Sequence, residues 1–352
     1  MSNIFNIKNV NAYRVIFITL ILLIIVLFQI GHGKSYLSPI QKEYMLKAQA
    51  YLYNDSFNQA HYYLDSVIAI FPFDPVGYLF KGAVYLAEMT DSEDDIHSEE
   101  FFEMLETSRL LVDFQMDKND SLKCAWMQLC LGHAAAYEAL WESRYGSLTG
   151  AIKKGLQAKK HYEQGLRYDS TLYDLYGGLG MYHYWKSAKA GILRYLGIFR
   201  NDKNKGIAEL YLAMDSSVIS GYASRNSLIW IWLDKKEYDS VVYICDEMQK
   251  LFPYGKMFLW PKAYAYFKKE DFERSSEVYI KLRKMLEQEP GNYFNIIECD
   301  YALWQCAEEL NDDKLKELIT KSYRSYCDII PTRTAKRQKS KISYLKNKIT
   351  KD

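Results

Sequence analysis

Apolar and aromatic side chains recur along most of the chain at the three- and four-residue spacing of amphipathic helices. In the segment 41–74 they fall at positions 4, 8, 11, 17, 20, 24, 27 and 32, which are Tyr44, Ala48, Tyr51, Phe57, Ala60, Leu64, Val67 and Pro72. This pattern predicts two helices joined by a short turn, with the proline ending the second helix. The small residues at positions 8 and 20 allow the two helices to approach closely.

The same order of residues returns along the chain, so that it divides into seven units. Units 1 to 7 begin at Gln41, Pro75, Ser121, Tyr173, Tyr222, Lys256 and Tyr293. The acidic stretch Asp91–Asp95 delays the second helix of unit 2 and is predicted to be a solvated loop. Residues 185–204 are predicted to be an insert in unit 4. We expect residues 41–328 to be nearly all helix, in antiparallel pairs, with unit 7 as a cap.

The order of aromatic, small and large residues and the proline in unit 1 resembles the 34-residue tetratricopeptide repeat (TPR). This resemblance implies an all-α fold, a right-handed superhelical solenoid of antiparallel helix pairs, with helix A of each unit lining a concave groove. A fainter likeness covers 177–232, where Gly177, Leu196-Gly197, Asn201-Asp202 and Gly206 resemble a family of TPR-like proteins typified by a fungal inclusion-body clearance protein. It covers about a sixth of the chain, and we transfer no function from it.

An almost unbroken apolar run, Val15–Ile30, precedes the repeats. Lys8 and Arg14 stand before it without any acidic residue. Its length and flanking charges predict either an uncleaved signal anchor, which we favour, or a signal peptide cleaved before Lys34, after the small-x-small pattern of Gly31 and Gly33. The positive charges before the run favour a repeat domain on the non-cytoplasmic side of a membrane, which is the periplasm if the organism is bacterial.

These features divide the chain into an N-terminal transmembrane or signal segment at 1–34, a repeat domain at 35–331 and a basic tail at 332–352. The tail carries eight Lys and Arg residues against one acid. Two alternatives stay open for it, an end helix with a solvated face and a segment that touches an anionic membrane surface. Because the net charge of the whole chain is only +1, nucleic acid is not predicted as a partner.

No motif in the sequence has the spacing of a catalytic or metal site. The six histidines include no pair three or four residues apart, and the six cysteines form no C-x-x-C pair or zinc-ligand set. We expect buried thiols, with one long-range disulfide left open for an exported domain. Gly177–Gly180 only superficially resembles a nucleotide loop, since no strand precedes it. The sequence therefore predicts no enzyme, no cofactor and no metal.

The TPR resemblance implies that positions 2, 5, 9 and 12 of each helix A face the concave groove. The aromatic residues predicted there, or next to such a position, to bind a partner are Tyr184, Trp185, Trp230, Trp260 and Tyr264. We expect Trp230, Trp260 and Tyr264 to form one exposed strip, whereas Trp232, at the packing position 11, is expected in the core. The alternative is that the tail, the inserts or a tighter superhelix covers these rings.

The predicted function is a membrane-tethered TPR scaffold or adaptor that holds a protein or peptide partner of unknown identity in its groove. Clustered Trp and Tyr side chains on a surface are typical of such contacts. The alternative function is an enzyme, or an enzyme subunit, with its site in the insert after Trp185 or around Asp91.

Overall fold

A computed structural model describes residues 35–189 and 201–350 of the chain, and all regular structure in this part is α-helical. The helices are α1 (Pro39–Tyr53), α2 (Phe57–Ile70), α3 (Pro75–Ser92), α4 (Ser98–Gln115), α5 (Ser121–Tyr145), α6 (Leu148–Tyr168), α7 (Asp174–Lys189), α8 (Lys203–Ser216), α9 (Gly221–Asp234), α10 (Tyr238–Leu251), α11 (Lys256–Lys268), α12 (Phe272–Leu286), α13 (Tyr293–Leu310), α14 (Asp313–Tyr326), α15 (Thr332–Arg337) and α16 (Lys339–Ile349). Consecutive helices pack on each other in a way consistent with a solenoid. The all-α prediction is confirmed for these residues.

Three of the helix pairs share the same tight turn at position 15 of their units. Its central residue is Asp55, Lys236 or Glu270, and each has a left-handed φ of 56°, 62° or 61°. The next backbone N–H donates to the carbonyl oxygen of the residue four before the central one, at 2.9–3.0 Å. This bond satisfies a carbonyl group that the end of the helix would otherwise leave open. The turn therefore repeats with the sequence period.

Small residues lie where the helices of a pair cross. Ala48 on α1 and Ala60 on α2 are both buried. On α7 and α8, Gly180 and Gly206 bring the two backbones together, because a Cβ atom added to Gly180 would lie 2.7 Å from the carbonyl oxygen of Gly206. The second helix of unit 4 begins at Lys203, just before the predicted end of the insert. The first helix continues through Trp185 to Lys189 instead of ending before the insert.

The stack curves until its first units contact its later ones. The ring of Tyr53, at the end of α1, lies 5.3 Å from that of Phe252 and 6.0 Å from that of Phe258. The side-chain amide of Gln49 donates to the carbonyl oxygen of Ile219 at 2.8 Å. These contacts join unit 1 to the beginnings of α9 and α11, about 200 residues later in the chain.

The acidic stretch of unit 2 makes the next contacts of this closure. Asp91 lies inside α3 and is largely buried, so the prediction of a solvated loop at this residue is wrong. Its carbonyl oxygen accepts hydrogen bonds from the side-chain amides of Asn292 and Asn295 at 3.2 and 2.7 Å. Further along, Arg333 on α15 pairs with Asp94 at 2.8 Å. The backbone and the charged side chains of this stretch therefore make tertiary contacts.

The basic tail folds back on the last pair of helices. Leu345 on α16 is fully buried against α13, and the Tyr344 hydroxyl donates to Glu308 at 2.7 Å. Lys341 and Lys348 pair with Glu298 and Glu308. The described part of the tail is thus an end helix whose lysines partly neutralise acids of α13.

The predicted anchor or signal peptide at 1–34 lies outside the described residues. None of the helices that the structure describes is both long enough and apolar enough to cross a membrane.

Candidate functional site

Trp230 on α9 and Tyr264 on α11, which we call the aromatic pair, are both exposed. Their exposed fractions are 46% and 44%. Both residues occupy position 9 of helix A in consecutive units, and a repeat stack places equivalent positions of neighbouring units side by side. The ammonium group of Lys268 lies 5.3 Å from the centre of the Tyr264 ring, so a cation borders this exposed ring.

Trp260 lies one helical turn before Tyr264 and is half-buried. Its ring makes an edge contact with the buried ring of Tyr279, with centroids 6.2 Å apart. Among the described residues, no ring contact joins Trp230, Trp260 and Tyr264 to one another, so three stacked rings are not present. Trp260 supports the base of the surface, while the aromatic pair carries its exposed area.

Tyr184 and Trp185, the other two predicted partner-binding residues, lie on α7 away from this pattern. Tyr184 is fully buried, and its hydroxyl donates to Asp234 at 2.7 Å. Trp185 is half-buried against it, with centroids 5.3 Å apart, under the ammonium group of Lys189. Because the interior of the protein covers the Tyr184 ring, this residue offers no surface to a partner. Tyr184 is therefore not part of the candidate site.

Other positions that the TPR resemblance assigns to the groove are also buried. Met45 and Gln49 in unit 1 and Asp174 in unit 4 have almost no exposed surface. Gln49 is covered by the closure of the stack, which places the end of α1 against α9 and α11, whereas Asp174 is covered by the backbone of residues 218–220. These positions of units 1 and 4 are therefore closed to a partner, while the aromatic pair of units 5 and 6 stays exposed.

Next to the closed end, four charged side chains form a partly buried group that we call the Lys256 cluster. It consists of Lys256, Asp55, Asp91 and Glu289. The Lys256 ammonium group lies 3.0 Å from the Asp91 carboxylate and 3.5 Å from that of Asp55, and it also bonds to Glu289. The backbone N–H of Lys256, at the beginning of α11, donates to Asp55 at 2.7 Å. A single ammonium group therefore binds the carboxylates of three different units.

Burial dominates the electrostatics of the Lys256 cluster. It raises the pKa of Asp91 to about 7 against the attraction of Lys256, and it raises the pKa of Asp55 in the same way. Burial alone would lower the pKa of Lys256, but Asp55, Asp91 and Glu289 together more than reverse this and hold it above its ordinary value. Sequence analysis missed the cluster, because its members are far apart in the chain and follow no motif.

Two histidines form hydrogen-bonded pairs inside the structure. His133 bonds to the Tyr162 hydroxyl at 2.7 Å, and burial lowers the pKa of His133 to about 4, so its ring is neutral at pH 7. His183 and Glu209 are bonded at 2.6 Å. In the described part of the chain, no group of three or more His, Cys, Asp or Glu side chains is arranged to hold a metal ion.

A cleft of about 330 Å³ opens between α12 and α14. Arg283 lines it, but its guanidinium group is bonded to the fully buried Asp300 and to Glu287. The charge of this arginine is therefore already neutralised within the protein.

No protein-family model matches the chain, and no curated protein matches it.

Proposed function

We propose that this protein is a TPR-type scaffold that binds a protein or peptide partner through the aromatic pair, Trp230 and Tyr264. The observation that carries the proposal is the exposure of these two large rings at equivalent positions of consecutive helices α9 and α11. Large aromatic side chains bury much apolar area and lose little conformational entropy when they bind, so they dominate many protein interfaces.

The surroundings of the aromatic pair support a binding role. The two helices that carry the aromatic pair are anchored in the core by fully buried side chains. These are Leu228, Ile229 and Ile231 of α9 and Phe258, Leu259 and Ala263 of α11. Rigid supports keep exposed rings available without a further cost of ordering on binding. The rings of Trp230 and Tyr264 keep 46% and 44% of their surface exposed. We infer that the units form a right-handed superhelix with a concave groove. Units 5 and 6 form the open part of this groove.

We further propose that residues 15–30 tether this scaffold to a membrane with the repeats on the non-cytoplasmic side. A run of sixteen residues, apolar except for Thr19 and Gln29, follows two positive charges and supports this orientation. A reporter enzyme that folds only outside the cytoplasm, fused after Asp352, is expected to be active. Activity of a cytoplasm-only reporter at the same junction would contradict the orientation without touching the binding proposal.

Site-specific photo-crosslinking tests the binding proposal in native membranes. A photoreactive amino acid at position 264 of the full chain is expected to give a discrete adduct. The same probe at position 243, on helix B of unit 5 where Tyr243 is 67% exposed, is the matched control and is expected to give none. Equal adducts at both positions would contradict a binding surface on the inner side of units 5 and 6.

Alanine substitution then measures how much the aromatic pair contributes. Trp230→Ala is expected to weaken partner binding by about 2 kcal/mol, or about 30-fold, as truncation of an interface hot spot does. Thermal melting should change little, in contrast to Trp232→Ala, because Trp232 packs between two clusters of the core. If Trp230→Ala unfolds the protein as severely as Trp232→Ala, Trp230 is a core residue and the proposal fails.

A further inference from the structure

A second exposed surface lies on the second helices of units 2 and 3, far in sequence from the aromatic pair. On α4, three apolar side chains are exposed, and they are Phe102, Leu110 and Phe114. Leu110 and Phe114 are each more than 60% exposed. The polar residues exposed on the same face of α4 are acidic, and they are Glu99, Glu103, Glu106 and Asp113. This face is therefore apolar and negative.

The corresponding face of α6 is apolar and positive. Leu148, Ile152 and Leu156 follow each other at intervals of four residues, which aligns them in one stripe along the helix. Each is more than half exposed. The charged side chains exposed beside the stripe are Lys153 and Lys160. In the described part of the chain, neither lysine makes an ion pair, and neither do Glu103 and Asp113 of α4.

Both helices pack on α5, and Glu138 of α5 joins their side chains. One of its carboxylate oxygens lies 2.6 Å from Arg109 of α4 and 2.6 Å from Lys154 of α6. Arg109 and Lys154 are thereby engaged within the protein, and Arg109 also pairs with Glu106 at 3.7 Å. The unpaired charges on the outer surface are then negative on α4 and positive on α6. We call this surface the α4–α6 face, with the six apolar residues named above as its members.

We propose that the α4–α6 face binds the same face of a second copy of this chain, with α4 of each copy lying on α6 of the other. A two-fold axis between the helices produces this arrangement, since every contact then occurs twice. The acids of α4 meet the lysines of α6 both times, and the two apolar rows cover each other. The surface is complementary to itself in both charge and hydrophobicity.

The size of the α4–α6 face suits this role. Helices of 18 and 21 residues are about 27 and 31 Å long and about 10 Å wide, which gives on the order of 500–600 Å² from each copy. The total exceeds the roughly 1,000 Å² expected of a specific interface. An anionic membrane surface fits less well, because α4 would bring four exposed acids against it.

Two charge-reversal variants of the full chain, one on each helix, test the proposal in non-ionic detergent. The α4 variant carries Glu103→Lys and Asp113→Lys, and the α6 variant carries Lys153→Glu and Lys160→Glu. All four side chains are exposed, so the variants are expected to melt like the wild type. Two differently tagged copies are expressed together, and the recovery of one tag with the other measures association.

Wild-type copies are expected to co-purify, and each variant is expected to lose at least ~10-fold in association with itself, because like charges then face each other twice. The α4 variant mixed with the α6 variant should recover wild-type association, since both contacts of that pair are attractive again. A chain that carries all four changes should associate with itself for the same reason.

Three results would overturn the proposal. They are a wild type that does not co-purify, single variants that associate as the wild type does, and a mixture of the two variants that is not restored. A fourth result would assign the face to another partner. If the α6 variant loses and the α4 variant gains binding to anionic vesicles or an acidic protein, the α4–α6 face does not bind a second copy. None of these results depends on Trp230 or Tyr264.

Discussion

At the scale of single residues, glycines mark the places where helices meet with no room for a side chain. Gly178 packs on the ring of Tyr162, and a Cβ atom there would lie 2.2 Å from the ring. Gly180 meets the backbone of α8. The glycine-rich segment 177–180 thus serves helix packing, in agreement with the rejection of a nucleotide loop from sequence.

The crossing of α7 and α8 gives the first prediction at this scale. Gly180→Ala places a methyl group 2.7 Å from the carbonyl oxygen of Gly206, and backbone cannot move aside as a flexible side chain can. We expect a loss of roughly 1–3 kcal/mol in the free energy of unfolding, as overpacked interiors show. Urea unfolding followed by circular dichroism measures it.

The control for this substitution is Gly155→Ala in the interior of α6. A Cβ atom at Gly155 has no neighbour within 4 Å. Alanine is the better helix former, so this change should stabilise the protein by up to about 1 kcal/mol. Equal shifts of the unfolding midpoint in the two variants would show that α7 and α8 do not cross at Gly180.

Single residues also show where sequence reasoning ends. Position 8 of unit 4 predicted a small residue at a crossing, and Gly180 confirms it. At position 12, Tyr184 is expected to face the groove. Its ring lies in the interior instead, where its hydroxyl donates to Asp234, 50 residues later in the chain. Asp234 is position 13 of the next unit, and the repeat pattern assigns no contact to that position. The pattern therefore carries no information on this partner.

At the scale of elements, the beginning of α9 is capped by another helix. The Asp174 carboxylate, at the first residue of α7, accepts hydrogen bonds from the backbone N–H groups of Val218, Ile219 and Ser220, each at 2.9 Å. Burial raises the pKa of Asp174, and these donors oppose the rise. The buried carboxylate satisfies donors of the segment that leads into α9, and its negative charge lies near the positive end of that helix dipole.

Asp174→Ala should therefore be among the most destabilising changes in the described chain. It leaves two buried donors and one partly buried donor without their acceptor, and we expect a loss of roughly 3–5 kcal/mol in the free energy of unfolding. Asp174→Asn keeps one acceptor oxygen and should lose less. Urea titration measures both.

Asp312→Ala supplies the comparison, because Asp312 caps α14 through a single hydrogen bond to Leu315 at 3.0 Å. A loss of about 1 kcal/mol is usual for such a cap. If Asp174→Ala costs no more than Asp312→Ala, water replaces the carboxylate at α9 and the interhelical cap contributes little.

At the scale of the whole molecule, the closure of the stack depends on the Lys256 cluster and should respond to pH. The pKa of Asp91 is about 7 in the folded protein and near 4 in the unfolded chain. Between these values the folded state binds more protons. The free energy of unfolding should therefore fall as pH rises from about 4 to about 7, by at most ~1.4 kcal/mol per pH unit from this group.

Asp91→Asn removes this titration and should flatten that part of the stability curve. Urea unfolding at pH 5, 6, 7 and 8 for the wild type and the variant gives the difference. Asp215→Asn, an exposed carboxyl group on α8, should leave the curve parallel to that of the wild type. Parallel curves for Asp91→Asn and the wild type would show that Asp91 is ionised throughout and that its burial costs little.

The pairs and their order were predictable from sequence, while the closure was not. Each pair is encoded by local spacing, as Ala48 and Ala60 show. The closure rests on Gln49, Tyr53 and Asp55 meeting residues about 200 positions away. These three side chains look unremarkable in the sequence, because nothing in a 34-residue period specifies how far the stack curves.

Contacts of this range set an order of events during synthesis. Ribosomes add about 5–20 residues per second, so the first hairpin emerges about 10–40 seconds before α11 exists. Until then Tyr53 lacks the rings of Phe252 and Phe258, and Asp55 lacks Lys256. Chains cut short before residue 256 should therefore keep an apolar, acidic edge that recruits chaperones and proteases, even though their own hairpins are complete.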